Sequence, residues 1–301
     1  MTRQDARAPT WIEVALNGPW SRARQPGIPD TVDAIVAEGI ACAKAGACII
    51  HAHAYDGGGE QTFDWQVYAR IIEGIRAKVD VPVYPSIASP AIAGPAQAEA
   101  APRFAHIEAL ATRGLLEFAV VDPGSVNLTA LGAQASDPPA SVYLNPEAHV
   151  RHGLALAARH GFHPAYAIYE PGFTRAGAAL ARAMRVKTPL YRFMFSDHFA
   201  FGFPPQPFGL AAHLALLQHE APGAPWMIAG LGVDVTPLIE AAAAQGGHIR
   251  VGLEDAPFGS PMSNRAWVDN AVRHVRKSGG EPASVSEMRA ALAQVAQQAD
   301  R

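Results

Sequence analysis

Only two cysteines, Cys42 and Cys48, occur in 301 residues, and both fall in or beside apolar stretches where small buried thiols are ordinary. Neither a disulfide nor thiol catalysis is expected. There is no surplus of basic residues: 24 Lys and Arg face 27 Asp and Glu, a formal charge of −3, so nothing recommends nucleic acid or an anionic membrane as a partner. Long hydrophobic runs are also missing. No run is long enough to span a bilayer, and the first ten residues, MTRQDARAPT, lack the apolar core of a secretory signal. With 49% hydrophobic residues a large core is affordable, and the reading is a soluble, cytoplasmic, metabolic-enzyme-like chain with residues 1–10 disordered.

Within that chain IIHAHAYD, Ile49 to Asp56, stands out. A strand alternates its faces, so His51 and His53 point one way and Ile50, Ala52 and Ala54 the other. Two imidazoles on one face can grip one metal ion; the alternative is a pair of buried histidines bonded to carbonyls. Asp56 and three glycines end the strand, which places the pair at a carboxyl end beside a loop.

Strand and helix patterns alternate on both sides of this segment. WIEVALN (11–17) is a first strand; a helix capped by Asp30 and stopped by Gly46 leads to the histidine strand. Further strands are read at 81–88, 118–124, HPAYAIYE, 190–196, 226–232 and 248–254, with helices between them, one of them capped by Asn145. Ser263 starts a helix after the eighth strand, and Ser284 with Glu287 has capping-box spacing for a last one. Eight strands with intervening helices fit a (β/α)8 barrel, one domain over residues 11–301 with extra carboxyl-terminal helices.

A barrel of this kind gathers the carboxyl ends of its strands at one opening. The polar residues there are Asn17, His51, His53, Ser86, Ser89, Asp122, Glu170, Ser196, Asp197, His198, Glu254 and Asp255. On the eighth strand, HIRVGLED, alternation puts His248, Arg250, Gly252 and Glu254 on one face. Two imidazoles and a carboxylate make a site with an open position, typical of catalytic zinc, and Glu254 is the best-placed third ligand. An internal Arg250–Glu254 ion pair is the alternative. Asp255 reads as a general base or as a partner of Arg250; Ser86 as a donor to a substrate carboxylate or as a turn former. Glu170, Asp197 and His198 carry weaker signals, and no G-x-S-x-G or Cys-His arrangement recommends nucleophilic catalysis.

The order of these motifs resembles a known family. An H-x-H strand (His51 to His53), Ser86 on the third strand, Tyr169 to Gly172, Trp226 to Gly232 and GGHIRVGLED from Gly246 to Asp255 are similar to the β-keto acid cleavage enzymes, and the likeness runs from Trp11 to the last helix. The resemblance implies a zinc-dependent barrel, homotetrameric, that uses acetyl-CoA to split a β-keto acid into acetoacetate and a new acyl-CoA. It implies His51, His53 and Glu254 as metal ligands, Ser86 as a substrate-binding residue, and Arg250 with Asp255 as catalytic machinery.

Departures from the family pattern fall around the substrate. Ala54, Tyr55 and Asp56 stand where arginine and an acid usually follow H-x-H, and Ser86-Ile87-Ala88-Ser89 where S-T-G-G is usual. The acid that takes an amino group in the amino-substrate member falls at Trp20, a fourth-strand threonine at Val120, its neighbouring asparagine at Asp122, and an asparagine after E-D at Ala256. Asn17, Trp20 and Asp122 are accordingly read as pocket residues, and the distal group of the β-keto acid as uncharged or apolar. The competing functions are a metal-dependent hydrolase of the amidohydrolase kind, which expects H-x-H on the first strand, and a ligand-binding barrel that has lost turnover.

Overall fold

Alternating strand and helix patterns carry over into the computed structural model, which describes residues 8–88, 99–135, 137 and 139–299. Strand β1 (Ile12–Ala15) leads to helix α1 (Val32–Ala45), β2 (Ile49–Ala52) to α2 (Trp65–Arg76), β3 (Val83–Pro85) to α3 (Ala100–Thr112) and β4 (Phe118–Val120) to α4 (Glu147–His160). The second half repeats the unit: β5 (His163–Ile168), α5 (Pro171–Met184), β6 (Leu190–Phe195), α6 (Pro207–Glu220), β7 (Trp226–Gly230), α7 (Thr236–Ala244), β8 (His248–Val251) and α8 (Asn264–Lys277). Helix α9 (Val285–Ala299) follows.

The strands form one sheet in the order β3-β2-β1-β8-β7-β6-β5-β4 with parallel neighbours throughout. Its end strands β3 and β4 pack against each other, so the sheet curls into a nearly closed (β/α)8 barrel. Buried side chains from all eight strands join one core. No described helix is long and apolar enough to cross a membrane.

Local chemistry departs from expectation at four places. The cap of α1 is Thr31, whose hydroxyl accepts from Ala34 N; Asp30 instead takes a bond from Arg22. Asn145 does not cap α4, because its amide is spent on Gly124 O and on the guanidinium of Arg103. Thr10, assigned to the loose amino terminus, is buried and bridged to Pro282, with its N–H donating to Glu281 O; residues 1–7 lie outside the described residues, as does Ser89. Finally, β8 stops at Val251 rather than continuing to Glu254.

Other signals act as read. Gly46 ends α1 at φ 120°, Ser263 caps α8, and Ser284 and Glu287 bond each other's backbone N–H groups. Helix α9 lies across the amino-terminal end of the barrel, where Met288 and Leu292 are buried and Arg289 reaches Asp80 and Glu117. Each buried aliphatic side chain there contributes about 2 kcal/mol, and each largely exposed ion pair about 0–1 kcal/mol. Apolar packing therefore holds the helix in place, and the arginine fixes its register.

Candidate active site and metal centre

At the carboxyl-terminal mouth of the barrel lies a cavity of about 180 Å³. His51 and His53 line it from β2 and the residue after it, because alternation turns both imidazoles inward, with ring centroids 5.3 Å apart. Asn17 fixes the second of them. Its side-chain amide accepts from His53 N at 2.9 Å and donates to His53 O at 3.0 Å, continuing the β1–β2 pairing with a side chain after the strands part. Asn17 is fully buried, also bonds Pro29 O, and does not line the cavity; its expected place on the substrate gives way to one behind the histidine.

Glu254 reaches the histidines through a turn, not by continuing the strand. Gly252 has φ 132°, and a Cβ there would lie 2.2 Å from Ala15 O, so the chain can fold back only with glycine at this point. Glu254 Oε2 then stands 3.4 Å from His51 Nε2, and Oε1 3.5 Å from His53 Nε2. His248, expected on the same face as Arg250, lies deeper: it stacks on Trp11 at 3.9 Å, takes a bond from Trp11 N, and lines a separate cavity at the other end of the barrel.

Donor chemistry at this cluster fits a metal ion. One ligand atom from each of His51, His53 and Glu254 lies within 4.8 Å of the other two, and this is the one such group among the described residues. His53 Nε2 and Glu254 Oε2 are buried with no hydrogen-bond partner, an arrangement costly unless something binds them. Gln61 contacts His53 Nδ1 at 2.6 Å. With the amide oxygen turned toward the ring, Nδ1–H donates to Gln61 and the Nε2 lone pair is left for a cation. Burial pushes His51 down to about 4, against the upward pull of Glu254, so the imidazole is neutral and ready to ligate. Burial alone would raise Glu254, but His51, Arg250 and His53 hold its carboxyl well below the usual range.

Below the cluster runs a belt of buried charge. Arg250 binds Asp255 through two bonds of 2.8 Å, Glu13 at 2.9 Å and Glu254 at 3.0 Å. Tyr84 donates to Glu13 at 2.6 Å and accepts from Arg192, which in turn reaches Asp122 at 3.4 Å. Four carboxylates thus face two guanidiniums, and a divalent cation at the histidines would offset the excess. Asp255 is buried and does not line the cavity; it stands behind Arg250, which does. Burial raises the Asp255 carboxyl against the pull of Arg250, with Glu254 and Glu13 pushing the same way as burial.

The remaining expected residues divide between wall and periphery. Ser86 lines the cavity while its carbonyl accepts from His106. Trp20 lines it too, but its indole N–H donates to Glu254 O at 2.8 Å. Asp122 is saturated: Ala167 N and Arg192 bond one oxygen and Tyr143 the other, and burial raises its pKa in spite of them. Glu170 sits at the start of α5 without a side-chain cap bond, and it lies outside the cavity along with exposed Asp197 and His198. Glu13, Gln61, Tyr84, Tyr143 and Arg192 belong to no motif read from the sequence, and Tyr169 enters only through the Tyr169 to Gly172 motif. For Glu13 and Arg192 a signal existed, a lone charge at the centre of the apolar strands WIEVALN and LYRFMFS.

Comparison with known proteins shows the family and the fold. A family model described as beta-keto acid cleavage enzyme matches residues 9–293. The chain is 26% identical over 279 residues to a 3-keto-5-aminohexanoate cleavage enzyme of Fusobacterium nucleatum, covering 90% of this chain and 93% of that one. It is also 26% identical over 294 residues to a 3-oxoadipate:acetyl-CoA acetyltransferase of Cupriavidus necator, covering 94% of each. The solved structure of apo ObcA superposes with a TM-score of 0.71 at 16% identity, over 90% of this chain and 66% of that longer one, a likeness of fold.

Proposed function

The chain belongs to the β-keto acid cleavage enzyme family, and on that premise we propose that it is a zinc-dependent acyltransferase converting a β-keto acid and acetyl-CoA into acetoacetate and a new acyl-CoA. The observation that carries the proposal is the convergence of His51, His53 and Glu254, with unpartnered buried ligand atoms, on a cavity also lined by Ser86 and Arg250. Bound there, zinc supplies a Lewis acid for the substrate's keto oxygen.

The chain's own residues do the rest. Ser86 donates to the substrate carboxylate. Arg250, held by Glu13 and Asp255, turns a fixed guanidinium toward the charge that develops as the carbon beside the keto group loses its proton. Proton removal is assigned to the Arg250–Asp255 pair: Arg250 faces the cavity and takes the proton as it passes one of its own N–H protons to Asp255, which is bonded to it twice and whose hold on a proton burial strengthens. Asn17 positions His53.

The distal group of the substrate is uncharged or apolar in this reading. An ammonium group in a dry pocket needs a carboxylate partner, and Asp122, the candidate acid on the wall, already has both oxygens bonded. Trp20 offers the face of its ring, its one donor being occupied. Val120, Leu128, Met194 and Leu231 complete an apolar lining. We further propose a cytoplasmic homotetramer; exposed Leu131, Val142 and Phe208 are large apolar side chains that a subunit contact covers. Incubation of the purified protein with acetyl-CoA and a panel of β-keto acids tests the reaction: acetoacetate forms with at least one acid, and its absence with every one counts against turnover.

A further inference from the structure

We propose that the rim formed by Trp20, Arg24, His198 and Phe258 is the subsite for the adenine nucleotide of the acyl-CoA cosubstrate. It rests on the reaction proposed above and adds a recognition site outside the metal cavity. That cavity, about 180 Å³, has room for a small keto acid and an acetyl group but none for a nucleotide, which must lie beyond one of its walls. Trp20 is the wall that continues outward. Its side chain lines the cavity and packs at right angles to Phe258, with ring centroids 5.0 Å apart.

On the outer side the guanidinium of exposed Arg24 lies 3.9 Å from the centroid of Phe258 and 5.1 Å from that of Trp20. Neighbouring Arg22 is paired with Asp30, whereas Arg24 has no carboxylate partner among the described residues. Its cation lies over the aromatic rings, and none of its N–H groups has a hydrogen-bond partner among the described residues. A guanidinium held in this way offers a planar surface to a purine and donors to a phosphate. The exposed imidazole of His198 stands edge-on to Phe258 at 5.3 Å and extends the same surface.

The rim is built rather than incidental. Gly259 N donates to Arg24 O, and the side chain of Gln25, next in sequence, bonds Leu253 O, Pro257 O and Ser260 N. These bonds tie the Arg24 loop to the turn that carries Glu254, so the stacked pair keeps a fixed position relative to the metal ligands. A pre-ordered platform costs a ligand little in immobilised side chains.

Calorimetric titration of CoA into the wild-type protein, Arg24→Ala and Phe258→Ala, with KM measured for acetyl-CoA and for acetyl-pantetheine, tests the assignment. The expected result is that each substitution weakens CoA binding and raises KM for acetyl-CoA about tenfold, the scale of one stacked or charge-assisted contact, with kcat and the KM for acetyl-pantetheine unchanged. Equal CoA affinity in wild type and Arg24→Ala overturns the subsite, and so does a parallel rise in KM for both thioesters, which marks a structural effect. Failure of the wild type to bind CoA removes both the subsite and the acyl-CoA reading. Arg24-dependent CoA binding without acetoacetate formation upholds the subsite and removes only the proposed reaction.

Discussion

The indole N–H of Trp20 donates to the backbone carbonyl of Glu254 at 2.8 Å, which joins the wall of the cavity to the carboxylate beside the two histidines. Gly18 makes the approach possible: at φ 67°, a Cβ there would lie 2.7 Å from Glu254 Cγ and 2.9 Å from Trp20 Nε1. The tryptophan thus lines the cavity with its indole donor already occupied.

Substrate choice follows. An uncharged 3-ketohexanoate is expected to show a higher kcat/KM than 3-keto-5-aminohexanoate, since an unpaired buried ammonium costs several kcal/mol. Comparative steady-state kinetics decide it. A clear preference for the amino compound shows that Asp122 gives up its bonds to Tyr143 or Ala167 to serve as the ammonium's partner.

Metal content is the second expectation. Elemental analysis should find close to one divalent transition metal per chain, and His51→Ala should lose it while its circular dichroism stays that of the folded barrel. Asn17→Ala, which leaves His53 N–H buried and unpaired, should weaken metal affinity on the order of 10- to 100-fold, as loss of a ligand's support does. Stoichiometric metal in His51→Ala contradicts the ligand assignment.

Asp255→Asn separates proton transfer from metal binding. The substitution keeps the shape of the side chain behind Arg250 and removes its charge. Metal content should persist and turnover fall by on the order of a hundredfold or more. An active Asp255→Asn enzyme assigns Asp255 to holding Arg250 alone.

Acid sensitivity should come partly from His213. This imidazole on α6 is fully buried, stacks on Phe193 at 4.5 Å, meets Phe195 and Phe203 edge-on, and has no partner for either nitrogen among the described residues. Burial pushes it from 6.5 down to about 4. The unfolded chain therefore binds a proton that the folded chain refuses between these values, so stability is complete above about pH 6.5 and is lost as pH falls toward 4. Urea unfolding of wild type and His213→Phe at pH 7 and pH 5 should show a smaller drop in the variant, by on the order of 1–2 kcal/mol. Equal drops place the acid sensitivity elsewhere.

Much of this molecule is legible in the sequence, and the illegible part has a physical reason. Glycine, proline and capping residues punctuate strand and helix often enough to count the barrel, and inward alternation alone pairs His51 with His53. Glu254 meets the histidines for a different geometric reason than strand alternation, because the strand has already ended before Gly252 and the chain turns back there. His248 shares the inward face with Arg250 but belongs to the opposite end of the barrel, because alternation gives a face and not a depth. Asn17 reads as a pocket residue, and Asp122, which does line the cavity, as an unbonded acid there, because a polar side chain at a strand end shows its type but not its partners. Their hydrogen bonds come from segments 12 to 70 positions away, which no local pattern reveals. Glu13 and Arg192 went unremarked because one charge in an apolar strand reads like an outward-facing residue until the barrel closes.

The most direct measurement follows carbon. In the proposed reaction the acetyl group of acetyl-CoA is joined to the two carbons at the carboxyl end of the β-keto acid, and the rest of that acid leaves on CoA. With acetyl-CoA labelled with carbon-13 in both acetyl carbons, nuclear magnetic resonance should show acetoacetate labelled at its keto and methyl carbons and a new acyl-CoA without label. Acetoacetate without label, label in the new acyl-CoA, or consumption of the β-keto acid independent of acetyl-CoA contradicts the account.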